Sequence, residues 1–208
     1  MNTSVIYLDH NATTPVAPEV LDAMLPYLRE QFGNPSSTHL LGQRAAAAVA
    51  HARAKVAALI GAPPEAIVFT SGGTEANNLA IRGAATANPQ RRRIVTTNVE
   101  HPATTAPLAH LAERGWTLAR IPVTPAGAIR ADDVVAAIGP DVSLVTVMLA
   151  QNETGALQPV AELAATAREQ GAVLHTDAAQ AIGKVDVNID ELGVDLLSIA
   201  GHKCYAPK

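Results

Sequence analysis

Three short segments of the chain place reactive or anion-binding side chains directly after an apolar stretch. The first, Phe69 to Glu75, runs into a turn with two glycines and then into a helical pattern. Glycine lets the backbone approach a ligand closely, and the first turn of a helix presents free N–H groups and a positive dipole end. Gly73 and Thr74 therefore predict a phosphate site. The alternative is that Ser71 or Thr74 caps the helix.

The second segment, Leu174 to Gln180, ends an apolar strand on the carboxylate of Asp177. Ligands of open α/β sheets bind beyond the carboxyl ends of the strands, so this carboxylate would lie at the floor of a site. There it could pair with a pyridinium N–H and help the ring to accept electrons from a substrate carbon. The alternative is that Asp177 caps the following helix.

The third segment, Ser198 to Lys203, closes another strand end on an amine. A lysine beside an apolar sheet can lose its proton and form a Schiff base with an aldehyde, although a lone strand-end lysine is usually solvated. His101 follows a fourth strand end and could stack on a planar ring and move protons; a structural histidine is the alternative. Because these groups suit different parts of one cofactor, the pattern favours a shared site.

The elements that would position these groups alternate along the chain. Alanine-rich stretches with helical spacing are separated by short β-branched runs, which predicts an α/β fold, a three-layer sandwich with a mostly parallel central sheet. The predicted strands are Ile67 to Thr70, Ile94 to Thr97, Thr117 to Ile121, Val142 to Met148, Val173 to Asp177 and Leu196 to Ala200. The predicted helices are Pro18 to Gln31, Leu41 to Ile60, Gly73 to Ala87, Ala103 to Arg114, Ala131 to Ile138 and Val160 to Gln170.

The segment before about Thr14, with a short strand Ile6 to Leu8, is assigned to a neighbouring small domain. This gives a division into residues 1–14, the N-terminal segment of the small domain, and residues 15–208, a truncated large domain that binds the cofactor. The composition shows no second break, since no linker or internal repeat interrupts the pattern.

The composition of the 208 residues favours one globular cytoplasmic unit, with 48% hydrophobic and 16% charged residues. A formal net charge of -4 provides no basic field for nucleic acid or anionic membranes. The one cysteine, Cys204, cannot form an internal disulfide, no secretory signal begins the sequence, and no apolar run approaches the ~20 residues that span a bilayer. The histidines lack metal-ligand spacing, so we expect no metal site.

Seven motifs, in the order in which they occur, resemble the cysteine desulfurases of the nitrogen-fixation and iron–sulfur assembly type, which are class-V aminotransferase-like enzymes. The motifs are Tyr7 to Pro15, Phe32 to Ser37, Thr70 to Glu75, Glu100 with His101, Asn152 to Gly155, His175 to Gln180 and Gly201 to Lys203. The resemblance covers essentially the whole chain. Selenocysteine lyases are similar over most of these segments.

The resemblance implies fold type I of the pyridoxal-phosphate enzymes, with pyridoxal 5'-phosphate as cofactor and a homodimer whose sites lie at the subunit interface. The implied roles are Lys203 as the Schiff-base lysine, Asp177 as partner of the ring nitrogen, Gln180 as donor to the phenolic oxygen, His101 as the stacking and acid-base residue, Gly73, Thr74 and His202 as phosphate ligands, and Asn152 as a pocket residue. Ala200 departs from the serine that many relatives carry there, which removes one phosphate donor.

The implied reaction converts L-cysteine to L-alanine and passes sulfur to a protein thiol, and then to a sulfur acceptor or iron–sulfur scaffold protein. In the family the attacking thiolate lies on a loop well after the cofactor lysine, whereas this sequence ends at Lys208. Cys204, next to Lys203, is expected to point away from the cofactor and to pack behind the site. We therefore expect the isolated chain to be inactive. Selenocysteine lyase, another pyridoxal-phosphate lyase or aminotransferase, and a non-catalytic fragment are the alternatives.

Overall fold

A computed structural model describes residues 5–208, and its centre is a sheet of five parallel strands. The strands are β1 (Arg93–Thr97), β2 (Thr117–Ile121), β3 (Val142–Thr146), β4 (Val173–Asp177) and β5 (Leu196–Ser198). They lie in the order β2-β1-β3-β4-β5, and each neighbouring pair is parallel. The predicted parallel sheet is confirmed.

Seven α-helices and three short 3-10 helices surround this sheet within the described residues. The α-helices are α1 (Pro18–Arg29), α2 (Leu40–Ile60), α3 (Gly73–Ala87), α4 (Pro102–Ala112), α5 (Ala131–Ala137), α6 (Ala164–Gln170) and α7 (Ile189–Leu192). The 3-10 helices are Pro64–Ala66, Val160–Leu163 and Gly201–Lys203. In residues 5–208 none of these helices has the length and apolar character needed to cross a bilayer.

Helices cover both faces of the sheet because the strands are apolar on both. On one face, Ile94 and Leu144 pack against buried residues of α3 and α4. On the other, Val95 and Val145 pack with buried residues of α2, α5 and α6. Successive residues of a strand point to opposite faces, so a strand buried on both sides is apolar almost throughout. The three-layer α/β sandwich is therefore confirmed.

The strand order places a topological switch between β1 and β3. From β1 the chain passes outward to β2, whereas β3, β4 and β5 follow in the other direction. In open parallel sheets the loops diverge at such a point and leave a crevice beyond the carboxyl ends of the strands. The predicted functional residues follow β1, β4 and β5 at this edge.

Two predicted strands are wrong, Ile67 to Thr70 and Ile6 to Leu8. Both segments are extended but pair with no strand in residues 5–208. The carbonyl of Ile67 accepts a hydrogen bond from the Arg53 guanidinium instead of a neighbouring strand, and Val68 is 66% exposed. Apolar β-branched residues favour extended backbone, but a strand also needs a hydrogen-bonding partner along its length.

The segment at residues 5–17 is joined to the end of the chain by hydrogen bonds. Thr14 donates its N–H and its hydroxyl to the carbonyl of His202, at 3.0 and 2.9 Å, and Ala17 N–H donates to the carbonyl of Tyr205 at 3.0 Å. These contacts bring the beginning of the chain beside the loop that follows β5. The division of the chain at residue 14 stays a prediction.

Candidate active site

One cavity of about 670 Å³ opens at the carboxyl edge of the sheet, beside the topological switch. All eight residues that the sequence assigned to a cofactor site line it, namely Gly73, Thr74, His101, Asn152, Asp177, Gln180, His202 and Lys203. These residues are spread over 131 positions of sequence, and the strand ends bring them together. Their individual roles remain predictions, but their shared location is a property of the structure.

The N-terminus of α3 faces the cavity with its backbone N–H groups available. The N-cap residue is Gly72, and no side chain caps the helix. Ser71 instead donates its N–H to Glu75 Oε2 at 2.5 Å, which folds the turn back on itself. Neither Ser71 nor Thr74 therefore serves as the cap, and the first turn of α3 remains free to bind an anion.

Gly73 is required where α3 approaches the end of β5. A Cβ atom at this position would lie 3.2 Å from the Cβ of Ala200, closer than most real contacts. The smallest side chains at both positions therefore let the helix start against the β5 loop. This close approach explains why the turn needs glycine at residue 73.

Asp177 ends β4 at the floor of the cavity and is only 6% exposed. Its Oδ2 accepts a hydrogen bond from Asn77 Nδ2 at 2.7 Å, and its Oδ1 accepts one from the Ala179 N–H at 3.0 Å. Both donors are neutral, so they orient the carboxylate without neutralising it. A buried anion fixed in this way can pair with a cationic N–H in the cavity.

His175 lies two residues before Asp177 in β4 and is fully buried. Its Nδ1 is 2.8 Å from Thr146 Oγ1 and its Nε2 is 3.0 Å from Ser198 Oγ, so both ring nitrogens are hydrogen-bonded across three strands. Burial lowers the pKa of His175 to about 4, with the charge of Asp177 opposing that shift. The ring is neutral near pH 7, and it adds no cation beneath the carboxylate.

Lys203 lies in the 3-10 helix after β5 and lines the same cavity as His101. Burial lowers its pKa below the usual value of 10.5; Asp177 raises it and Lys184 lowers it further. A lowered pKa increases the fraction of the amine that is uncharged, which is the nucleophilic form. This is the property that covalent attachment to an aldehyde requires.

His101 is the N-cap residue of α4, and its ring lines the cavity. Its Nδ1 accepts a hydrogen bond from the Ala103 N–H at 3.1 Å. Since a neutral imidazole has one acceptor and one donor nitrogen, this bond places the proton on Nε2. The structural role that was the alternative for His101 is thus present, and it fixes the ring at the cavity wall.

Residues of the N-terminal segment cross the cavity and join Gln180 to Asn152. Gln180 Nε2 donates to the carbonyl of Asn11 at 2.9 Å, and Asn11 Nδ2 donates to the carbonyl of Asn152 at 3.2 Å. Lys184 Nζ donates to Gln180 Oε1 at 2.7 Å. Lys184 is exposed, and this bond orients the Gln180 amide so that its NH₂ group donates to Asn11 at the cavity lining.

His202 closes the cavity beside the α3 N-terminus. Its Nδ1 lies 3.1 Å from the hydroxyl oxygen of Thr13. Burial lowers the pKa of His202, and the nearby cations Lys203 and Lys208 lower it further. When the Thr13 hydroxyl donates to Nδ1, the neutral ring keeps its proton on Nε2 and can donate it to an anion.

Cys204 lies outside the cavity lining, behind the site. Its Sγ is 3.2 Å from the carbonyl of Ile182, and the side chain packs against the large core cluster. Burial raises the pKa of the thiol, while Lys184 lowers it. The sequence-based expectation that Cys204 turns away from the site matches this placement, and a half-buried thiol with a raised pKa is a poor nucleophile.

Sequence reasoning did not identify the site roles of Asn77, Glu100 and Asn11. Asn77 had a usable signal, because it falls on the buried face of α3 together with Ile81 and Ala84, where a polar side chain must find a partner. Glu100 and Asn11 have no such periodic signal, since both lie in loops whose path depends on the tertiary fold.

The comparisons with known proteins agree with this geometry. The profile of the family described as Aminotransferase class-V matches residues 6–208. The chain belongs to this family. A cysteine desulfurase of Trichormus azollae is 47% identical over 205 residues, which cover 99% of this chain and 51% of that enzyme.

Solved structures give the same result for the fold. SspA in complex with cysteine superposes with a TM-score of 0.95 at 37% identity, over 98% of this chain and 59% of that one. The apo cysteine desulfurase from Thermococcus onnurineus NA1 gives a TM-score of 0.90 at 33% identity, over 98% and 52%. The resemblance to cysteine desulfurases is confirmed, and the chain spans about half the length of the curated relatives it matches.

Proposed function

We propose that this chain forms the cofactor-binding half of a pyridoxal-phosphate-dependent cysteine desulfurase. The observation that carries the proposal is the single cavity in which Lys203, Asp177 and His101 meet the uncapped N-terminus of α3. An amine, a buried carboxylate, an imidazole and an anion-binding helix end are the four groups that this cofactor's aldehyde, ring nitrogen, ring face and phosphate would use.

The residues present fit the cofactor in charge and in space. The cavity of about 670 Å³ has room for a substituted pyridine ring with its phosphate. Gly73 and Ala200 leave the phosphate end open, because neither carries a side chain beyond Cβ. Asp177 brings a buried anion whose hydrogen-bond donors are both neutral.

When bound, pyridoxal phosphate supplies an electron-accepting ring that stabilises negative charge on the substrate carbon. In this assignment Lys203 would hold the aldehyde carbon through Nζ and, as the free amine, would carry a proton. Asp177 would keep the ring nitrogen protonated. His101, with its proton on Nε2, would face the ring and serve as a second proton carrier.

The remaining residues orient the cofactor and limit its motion. The α3 N–H groups at Gly73, the Thr74 hydroxyl and the Nε2–H of His202 would bind the phosphate, while Gln180 would donate to the phenolic oxygen. Asn152 lines the substrate side. Because Ala200 offers no hydroxyl, the phosphate depends more strongly on Thr74 and His202.

The proposed substrate is L-cysteine, which would yield L-alanine and sulfur on a protein thiol. The relatives named as cysteine desulfurases and the SspA complex with cysteine support this choice. Cys204 is the only cysteine of the 208 residues and lies behind the site, so the sulfur-accepting thiol must come from other polypeptide. The proposal also includes a homodimer, a partner that is a sulfur-acceptor or iron–sulfur scaffold protein, and a cytoplasmic location.

The test joins this chain to the carboxyl-terminal half of the Trichormus azollae enzyme, which supplies the length that the chain does not span. With cysteine and a thiol reductant, the joined protein should release alanine and sulfide in equal amounts. Lys203→Ala should lower the rate by about a hundredfold or more. A joined protein that is folded and loaded with cofactor, yet leaves cysteine unchanged, would contradict the proposal.

The 208-residue chain alone is the matched control for the thiol. It should release no sulfide at a catalytic rate, because the half-buried Cys204 lies outside the cavity lining. Its Cys204→Ala variant should behave in the same way. Sulfide release by the chain that disappears in Cys204→Ala would make Cys204 the sulfur carrier and overturn this part of the assignment.

A further inference from the structure

Glu100 is a buried carboxyl group that the proposed chemistry does not use. It lies in the loop between β1 and α4 and is only 8% exposed. Its Oε1 accepts two hydrogen bonds, from Thr97 Oγ1 at 2.7 Å and from the Met148 N–H at 3.0 Å. Its Oε2 is buried and has no partner in the part of the chain that the structure describes.

These bonds span the topological switch of the sheet. Thr97 is the last residue of β1, and Met148 follows the end of β3, so one carboxylate oxygen joins the segments at the ends of these two neighbouring strands. His101 is the next residue after Glu100, and both His101 and Met148 line the cavity. The position of two cavity walls therefore depends on this carboxyl group.

The charge of Glu100 is linked to the floor of the site. Burial raises the pKa of Glu100 to about 7, the hydrogen bonds from Met148 and Thr97 lower it, and the charge of Asp177 raises it further. Asp177 at the end of β4 is the charged group that acts on Glu100 directly. His175 and Lys203 lie near Asp177 in turn, and His101 is the adjoining titratable residue.

We propose that Glu100 is a positioning residue of this site, which holds the His101 and Met148 walls together and acts on Asp177 from behind the cavity. Below neutrality the neutral Glu100 acid adds no charge behind the cavity. As the pH rises through neutrality, ionisation adds a second negative charge and strengthens both hydrogen bonds to Oε1. The inference rests on the proposed function only for its connection to the cofactor.

Two substitutions separate positioning from simple packing. Glu100→Gln keeps an acceptor oxygen for Thr97 and Met148 but removes the titrating charge. Glu100→Ala removes both the acceptor and the charge, which leaves the Met148 N–H and the Thr97 hydroxyl without their partner. Glu113→Gln, at the exposed C-cap of α4, is the control for loss of a carboxylate elsewhere in the chain.

The reporter is the methyl group of Met148, which does not titrate itself. NMR spectra of the cofactor-free chain with ¹³C-labelled methionine methyls are recorded from about pH 5 to about pH 9, and Met148→Leu assigns the signal among the three methionines. The wild type and Glu113→Gln should show a step in the Met148 shift near pH 7. Glu100→Gln should hold the signal at one position across the range, and Glu100→Ala should displace it at every pH.

A wild-type signal without that step, or a step that persists in Glu100→Gln, would overturn the proposal. If Glu100→Ala does not fold, the Met148 shifts of the wild type and Glu100→Gln are sufficient to test the proposal. Addition of pyridoxal phosphate to the same samples tests the cofactor separately. If the Met148 methyl shift does not change when pyridoxal phosphate is added, the proposed function is contradicted. The result on Glu100 does not depend on that outcome.

Discussion

At the scale of single residues, the site is defined by a buried carboxylate whose hydrogen-bond donors in residues 5–208 are both neutral. Asp177 is oriented by Asn77 and by a backbone N–H, and the neutral ring of His175 lies behind it. A buried charge held by neutral donors keeps its attraction for a cation that enters the cavity. In the proposed function that cation is the protonated ring nitrogen.

Asn77 should therefore matter more than its partly exposed neighbour. Asn77→Ala leaves Asp177 Oδ2 without its donor at 2.7 Å, and we expect a loss of about 1–3 kcal/mol in the free energy of unfolding, together with weaker cofactor binding. Asn78→Ala is the control, because the Asn78 side chain is only half-buried and donates to the Thr74 carbonyl of its own helix. Denaturant titrations of the two variants compare them, and equal losses would contradict the role given to Asn77.

The buried imidazole of His175 predicts a specific sensitivity to acid. Its pKa falls from 6.5 to about 4 on burial, so the stability that the neutral ring contributes above about pH 6.5 is lost as the pH falls towards 4. This lowering of the pKa of His175 corresponds to roughly 3 kcal/mol at most in the free energy of unfolding.

Glu100 has the opposite effect on the pH dependence of stability. Because its pKa is raised, its contribution to the free energy of unfolding is fully present below pH 4.5 and is lost as the pH rises through about 7.

The measurement uses Glu100→Gln as the background, which removes the opposing contribution of Glu100. Between about pH 7 and about pH 4 the free energy of unfolding should fall more steeply in Glu100→Gln than in the double variant Glu100→Gln/His175→Gln. The double variant must be folded at neutral pH for the comparison. Equal slopes would show that His175 does not carry the acid sensitivity.

At the scale of elements, α3 is the helix that builds the site. Its buried face supplies Asn77 to the carboxylate, and its uncapped first turn supplies N–H groups to an anion. Gly73 allows this first turn to approach Ala200 at the end of β5. One helix thus serves both the ring end and the phosphate end of the cavity.

Two glycines of α3 give a matched pair of variants. Gly73→Ala places a Cβ 3.2 Å from that of Ala200 and should shift the start of the helix, which weakens pyridoxal-phosphate binding. Gly83→Ala meets nothing within 4 Å, and it should raise the free energy of unfolding by about 0.5–1 kcal/mol with unchanged binding. Cofactor titration followed by absorbance compares the two. Equal affinity in both variants would refute the role of Gly73.

The sequence predicted the elements that are determined locally and missed those that depend on a partner. β2 and β4 begin and end at the predicted residues. Each corresponds to a short run with β-branched residues that is flanked by turn residues. The Ile67 to Thr70 run has the same local character, but the Arg53 guanidinium donates to the Ile67 carbonyl, and within residues 5–208 no strand pairs with this run. The helix predicted from Val160 begins as a 3-10 turn, Val160–Leu163, before α6.

At the scale of the whole molecule, the predicted site residues converge because a parallel sheet collects strand ends at one edge. The eight residues predicted from four separate motifs and one asparagine loop line a single cavity. Contacts between distant loops could not be predicted in this way. Examples are the hydrogen bonds that join Lys184 to Gln180 and Gln180 to Asn11, and the hydrogen bond between Glu100 and Met148. These contacts depend on how the loops run in three dimensions, which no periodic sequence pattern indicates.

The most direct test of the account is the identity of the lysine that holds the cofactor. The chain is incubated with pyridoxal phosphate, reduced with borohydride and digested, and the labelled peptide is sequenced by mass spectrometry. Lys203 should carry the label, because burial lowers its pKa and its side chain lines the cavity with Asp177 and His101. The Lys203→Ala variant should take up no specific label. A label on Lys184 or Lys208 in the wild type would contradict the account.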